Sequence, residues 1–145
     1  MGPTLLLAIS LAAPALKDVK PATDLIGLWE HEQSFSNGKD ATSKRDDPLR
    51  YEFRKDGTYV VYEGDRELCG PREFRFDSSA KPATLDTKTT RSPEGPPTFS
   101  LAIYKIEGDH LTICKAAPGK ARPTTFDTSP GSPNYMMIFR RVKKD

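Results

Sequence analysis

Two histidines, His31 and His110, and two cysteines, Cys69 and Cys114, are the side chains of this chain best suited to chemistry near neutral pH. An imidazole can carry a proton, hydrogen-bond a polar head group or ligate a metal. A thiol is a nucleophile only where electropositive surroundings lower its pKa. Neither pair stands in a catalytic pattern: the sequence has no nucleophile elbow, no His-Glu-x-x-His and no phosphate-cradling glycine loop. It has no Cys-x-x-Cys either, the usual sign of zinc or thioredoxin-like chemistry. Glu30 and Glu32 share a strand face, as paired carboxylates do in acid–base catalysis, but that face is the charged one that seeks water. The expectation is no enzyme, no cofactor and no bound metal. What remains is a binding inventory: Phe35, Tyr51, Phe53, Tyr62, Phe74, Phe76, Phe99 and Leu101 as apolar walls, with His31 and Gln33 as polar contacts. The plainer reading of His31 is a core-edge histidine bonded to a neighbouring carbonyl, and His110, just after a turn, reads as exposed.

These residues need a scaffold, and the chain supplies strands. Helical periodicity is nearly absent; short alternating runs are separated by Gly, Pro, Asn and Asp. Eight strands are expected, over residues 28–35, 49–54, 58–63, 71–77, 83–89, 98–106, 110–115 and 135–141. Residues 23–26 read as a single helical turn before the first of them. The short turns at 55–57, 78–82 and 107–109 alternate with longer connections at 36–48, 64–70, 90–97 and 116–134. In an up-and-down sheet that alternation puts all long loops at one end, the form of a closed cup with a looped mouth. Closure also removes exposed sheet edges. The fold class expected is therefore all-β, a single up-and-down antiparallel eight-stranded barrel. Period two points Trp29, His31, Gln33 and Phe35 inward, with Tyr51 and Phe53, Phe74 and Phe76, and Leu111 and Ile113. For the sixth strand the inward set is taken as Phe99, Leu101 and Ile103.

The composition sets the outer limits. With 22 Lys and Arg against 20 Asp and Glu, no global field steers the chain to nucleic acid. The basic end, Arg140-Arg141-Val142-Lys143-Lys144, reads as a solvated terminus. Leu5-Leu6-Leu7-Ala8-Ile9-Ser10-Leu11-Ala12 followed by Ala13-Pro14-Ala15 has the form of a secretory signal, although no Lys or Arg precedes it. The run is shorter than the roughly 20 apolar residues needed to span a bilayer. The organisation expected is a signal peptide over 1–15, a linker over 16–24, the barrel over 25–142 and a basic tail over 143–145. That places the protein outside the cytoplasm, secreted or periplasmic, and monomeric. The two cysteines fit one disulfide or two buried thiols equally.

Two resemblances enter on particular residues. Gly27-Leu28-Trp29 resembles the Gly-x-Trp that opens lipocalin-type barrels, where an arginine from the last strand lies over the tryptophan ring. That implies Arg140 or Arg141 in this role, with Arg140 preferred. A fuller similarity, from Leu25 to Arg141, is to a lipocalin-like domain of unknown function found mainly in planctomycete bacteria. It rests on Gly27-Leu28-Trp29, Asn37-Gly38-Lys39, Lys81-Pro82-Ala83-Thr84-Leu85-Asp86 and Ile103-Tyr104. It continues through Glu107-Gly108-Asp109, Leu111, Cys114, Arg122-Pro123 and Phe126. Ala102 departs from the glycine usual before Ile-Tyr, and Cys69 is no part of the pattern. Within this motif Asp109 is expected to cap its turn and Arg122 to pair with a carboxylate such as Asp86, pinning the last long loop.

The resulting expectation is an exported lipocalin-like barrel that binds a small, partly apolar molecule at its long-loop end. An eight-stranded barrel is at the size where side chains either fill the interior or leave room for one small ligand. The alternative is a filled barrel whose loops 36–48 and 116–134 recognise an envelope protein.

Overall fold

Turn chemistry divides the chain into its strands. The structure, a computed structural model, describes residues 22–89 and 98–143. The expected signal peptide, the start of the linker, the 90–97 connection and the last two residues lie outside the described residues. A 3-10 turn, Ala22–Leu25, leads into β1 (Gly27–Ser36), β2 (Lys39–Asp40), β3 (Leu49–Phe53), β4 (Thr58–Glu63) and β5 (Arg66–Asp77). There follow β6 (Ala83–Thr89), β7 (Thr98–Glu107), β8 (His110–Lys115) and β9 (Tyr135–Arg141). Neighbouring strands pair antiparallel in the order β2-β1-β3-β4-β5-β6-β7-β8-β9, and β1 also pairs with β9. The result is a closed up-and-down barrel of eight strands with β2 as an extra strand.

Two connections are shorter than their sequence suggests. Asn37 and Gly38 both take positive φ, 54° and 75°, the backbone of the two-residue hairpin turn whose twist matches that of its strands. That turn folds Lys39 and Asp40 back onto β1 opposite Ser36 and Phe35. The expected loop 64–70 is only the turn Gly64-Asp65, because β5 starts at Arg66, opposite Glu63.

The barrel's inward face holds Trp29, Phe53, Tyr59, Val61, Phe74, Leu85, Ala102, Tyr104, Leu111, Ile113, Met137 and Phe139. At the end where the short turns lie, the 3-10 turn closes the base. Leu25 is fully buried there, and its carbonyl accepts the Trp29 indole N–H at 2.9 Å. Arg141 stands opposite Trp29 in the β1–β9 ladder, with its guanidinium carbon 4.1 Å from the indole centroid. The same guanidinium donates to the carbonyls of Asp24 and Ile26. Gly27 is explained by this cluster: its φ is +139°, and a Cβ there would stand 3.0 Å from Arg141 Nη1.

The structure corrects several face assignments. The arginine over Trp29 is Arg141, not Arg140; Arg140 lies opposite Glu30 on the outer face and pairs with Glu32 at 3.2 Å. A bulge between His31 and Gln33 shifts the β1–β9 register by one residue. Beyond it Ser34, opposite Met137, points inward, while Gln33 and Phe35 point out. Tyr62 is also outside, since Tyr59 and Val61 set the inward face of β4; its hydroxyl lies 3.2 Å from Arg54 and 3.4 Å from Glu52. In β7 the parity is the reverse of that expected. Ala102 and Tyr104 face the core, and Phe99, Leu101 and Ile103 face out, with the Arg75 guanidinium 3.7 Å from the Phe99 ring centroid.

The apolar outer face of β7 and β8 is covered by the connection 116–134. Arg122 grips both carboxylate oxygens of Asp86 at 2.6 and 3.1 Å and the Ala102 carbonyl at 2.7 Å. Phe126 lies under Lys105 at 4.9 Å. Pro123 is buried between these anchors, and Ile103 and Cys114 keep 1% and 0% of their surface exposed. Cys69, on β5, faces the interior, so the barrel wall separates the two sulfurs and both thiols are free. The Asp109 carboxylate does not cap its own turn but lies 3.4 Å from Lys143.

The Trp29 cluster predicts unequal effects for two adjacent arginines. Arg141→Ala should lower unfolding free energy by about 2 kcal/mol or more, through lost cation–π contact and charged hydrogen bonds. Arg140→Ala should change it by no more than about 0.5 kcal/mol. Urea unfolding followed by the fluorescence of the single tryptophan reads both, and equal losses would contradict the assignment.

Candidate functional site

The barrel is filled at one end and hollow at the other. Towards the short-turn end, Phe53 and Phe74 meet edge to face with centroids 5.1 Å apart, and Phe74 stacks on Phe76 at 5.8 Å. Aromatic packing of this kind leaves no room for a ligand. Towards the long-loop end two cavities follow one another. The outer, about 410 Å³, is bounded by His31 and Ser34 of β1, Leu49 and Tyr51 of β3, Tyr135 and Met137 of β9, and Arg45 of the loop after β2. The inner, about 160 Å³, lies among Tyr51, Phe53, Tyr59, Val61, Leu85 and Ile113. Tyr51, Lys115 and Met137 belong to both walls and form the partition between them. The Tyr51 hydroxyl points at the Met137 sulfur across that partition, 3.9 Å away.

Of the expected wall residues, the structure brings His31, Tyr51 and Phe53 to these cavities and leaves Phe74 and Phe76 in the packed base. Gln33, Phe35, Tyr62, Phe99 and Leu101 are on the outside, as described above. Asp86, Asp109 and Arg122 are also outside the barrel, where two of them fasten the long connection.

Among the polar residues of the cavities that were not singled out from the sequence are Lys115, Arg72, Ser34 and Arg45. Lys115 and Arg72 carried a usable signal, because period two continues the inward sets Leu111, Ile113 and Phe74, Phe76 onto them. Ser34 was hidden by the bulge. Arg45 lies in a loop, where no periodicity places a side chain.

The electrostatics of this end are one-sided. Lys115 reaches into the partition with its ammonium 5.5 Å from the Tyr135 ring centroid, and burial pushes its pKa below the usual lysine value. Among the described residues it forms no ion pair. Arg72 lines the inner cavity next to the Tyr59 hydroxyl. Arg45 is held by Glu63 at 2.5 Å. No Asp or Glu lines either cavity among the described residues. Burial raises the pKa of Tyr51 and Tyr59, so both rings present neutral hydroxyls. His31 Nε2 lies 2.6 Å from Ser34 Oγ, and its ring packs edge-on against Phe139 with centroids 5.5 Å apart. Burial lowers its pKa below 6.5, with Arg45 adding to the effect. The imidazole is therefore a neutral hydrogen-bonding group at pH 7, and no group of three or more metal-ligating side chains occurs among the described residues.

A further recess of about 310 Å³ lies at the short-turn end, where its charged side chains are Asp24 against Lys81 and Lys105. It mixes both signs of charge. No helix among the described residues is long and apolar enough to cross a membrane.

The chain matches no protein family, no curated protein and no solved structure. Its class therefore rests on its own geometry: a closed, up-and-down antiparallel barrel, packed at its base and hollow at its looped end.

Two measurements check this geometry. Alkylation under denaturing conditions without reductant should modify both cysteines. In the native protein Cys69 should react ahead of Cys114, whose pKa is raised by burial and by Asp127. For His31, the folded-state pKa lies below its ordinary 6.5, so the unfolded chain binds the proton first as pH falls. The stability this group contributes is complete above pH 6.5 and is lost on acidification below it. Urea midpoints should fall between about pH 7.5 and 5.5, and His31→Gln should flatten that slope.

Proposed function

We propose that this protein is an exported lipocalin-like barrel that binds one small, partly apolar molecule at its long-loop end. The observation that carries the reading is the pair of adjoining cavities, the outer about 410 Å³, with polar groups gathered at the mouth and apolar side chains such as Phe53, Val61, Leu85 and Ile113 further in. Ligand affinity would come from burial of apolar surface, at about 25 cal/mol per Å² before the costs of association. His31 and Tyr51 would orient the ligand.

Kinship with the planctomycete lipocalin-like domain is supported by how its motif residues work together. Gly27 and Trp29 join in the base cluster, and Asp86, Arg122, Cys114 and Phe126 in the fastening of one connection. Ala102, the departure from that motif, is a small inward residue that is 4% exposed. Export is supported by the apolar run and Ala13-Pro14-Ala15 alone.

Native mass spectrometry of protein purified from its own cell envelope tests the reading. The expected result is a chain cleaved after Ala15 that carries a small-molecule mass increment, lost on denaturation. A bare mass in every preparation overturns it, and a co-purifying envelope protein would favour an interaction module instead.

A further inference from the structure

We propose that the ligand is an anionic amphiphile, an apolar tail bearing a carboxylate, and that its head group is held at the partition by Lys115. This rests on the reading of the open end as a ligand cup.

Strand parity places the lysine there. Leu111, Ile113 and Lys115 share the inward face of β8, and the first two are core residues. A third apolar residue would have continued that face without any charge to desolvate. An ammonium in this position costs free energy unless an anion answers it. Among the described residues none does: Lys115 has no carboxylate partner there, and neither cavity has a described acidic residue in its wall. Arg72 adds a second cation in the inner cavity. Arg45, at the mouth, is already neutralised by Glu63. The interior is thus a positive site, polar at the mouth and with the apolar side chains of Phe53, Val61, Leu85 and Ile113 further in, complementary to a negative head on an apolar body.

The position of Lys115 matters as much as its charge. It belongs to both cavity walls, so a head group on it is reached from the mouth while being partly shielded from bulk water. A charge-assisted hydrogen bond is strongest under those conditions. Tyr51 and Tyr135 flank the same junction. Both belong to the wall of the outer cavity, and their hydroxyls can donate to a carboxylate.

Isothermal titration of the full chain with decanoate and with decanol, at neutral pH, tests the proposal. Decanoate should bind about 10-fold tighter or more than decanol. Lys115→Met, which keeps an unbranched side chain one atom shorter and removes its charge, should erase that preference and leave decanol affinity within about 2-fold. Lys115→Arg should retain it, and a surface change, Arg140→Met, should alter neither; circular dichroism confirms that each variant is folded. Equal binding of acid and alcohol, or unchanged decanoate affinity in folded Lys115→Met, overturns the carboxylate assignment while leaving a cup that binds neutral molecules. Failure of both probes to bind overturns the assignment together with the cup.

Discussion

Closure of the sheet is the constraint from which the rest of this structure follows. Because β1 hydrogen-bonds to β9 as well as to β3, every barrel strand has one face towards a finite interior and one towards the outside. The interior is too narrow to be lined at random. At its base it takes Phe53, Phe74, Phe76 and Trp29 and is full. Further up it takes Tyr51, Met137 and a lysine and is not. The seam where first and last strands meet is held at its base by Arg141, which lies over Trp29 and ties down the carbonyls that precede β1. Near the mouth the same seam carries the bulge, which turns Ser34 rather than Gln33 into the cup and gives His31 its hydrogen-bonding partner.

Closure also explains why part of the outer wall is apolar. Ile103 and Cys114 point away from the interior yet are almost wholly buried, because the connection between β8 and β9 folds back over β7 and reaches β6. Arg122 anchors this second layer by gripping a carboxylate on one strand and a carbonyl on the next. The connection is held again at the mouth, where Gly38 donates to the Thr128 carbonyl and Gly131 N–H donates to Asn37 at 2.8 Å. A Cβ on Gly38 would come within 2.6 Å of Pro130. The Asn37-Gly38 turn is therefore needed twice, for its backbone shape and for the close approach of the neighbouring connection.

Strand positions and overall topology were legible in the sequence because turn residues and alternation both encode them locally. Tyr51, Phe53, Phe74 and Phe76 were placed correctly for the same reason: charged neighbours alternate with them and fix the parity. Gln33 and Phe35 were misplaced because a bulge is one extra residue, and nothing in the composition of β1 announces it. Phe99 and Leu101 were misplaced because apolar residues were equated with the interior, while here a loop makes a second apolar layer outside. Lys115 and Arg72 are the opposite case. Their inward direction followed from parity, but a charged residue invites assignment to water. The pairing of Arg122 with Asp86 was anticipated from the motif, and Arg141 was not separated from Arg140 because a strand's end gives no register.

Leaving aside the extra strand β2, the order of strands in the sheet is the order in the chain, apart from the final joining of β9 to β1. As the polypeptide leaves the ribosome, each hairpin from β3 to β8 can pair with the one before it. The edges of β1 and β8 nevertheless stay open until β9 has been made. The contact that ends this exposure joins Trp29 to Arg141, residues far apart in the chain, and such long-range closure is intrinsically slow. Until then the nascent chain offers two unpaired strand edges to its neighbours. A chain interrupted before Arg141 would therefore be a hazard for aggregation rather than a shortened but working barrel.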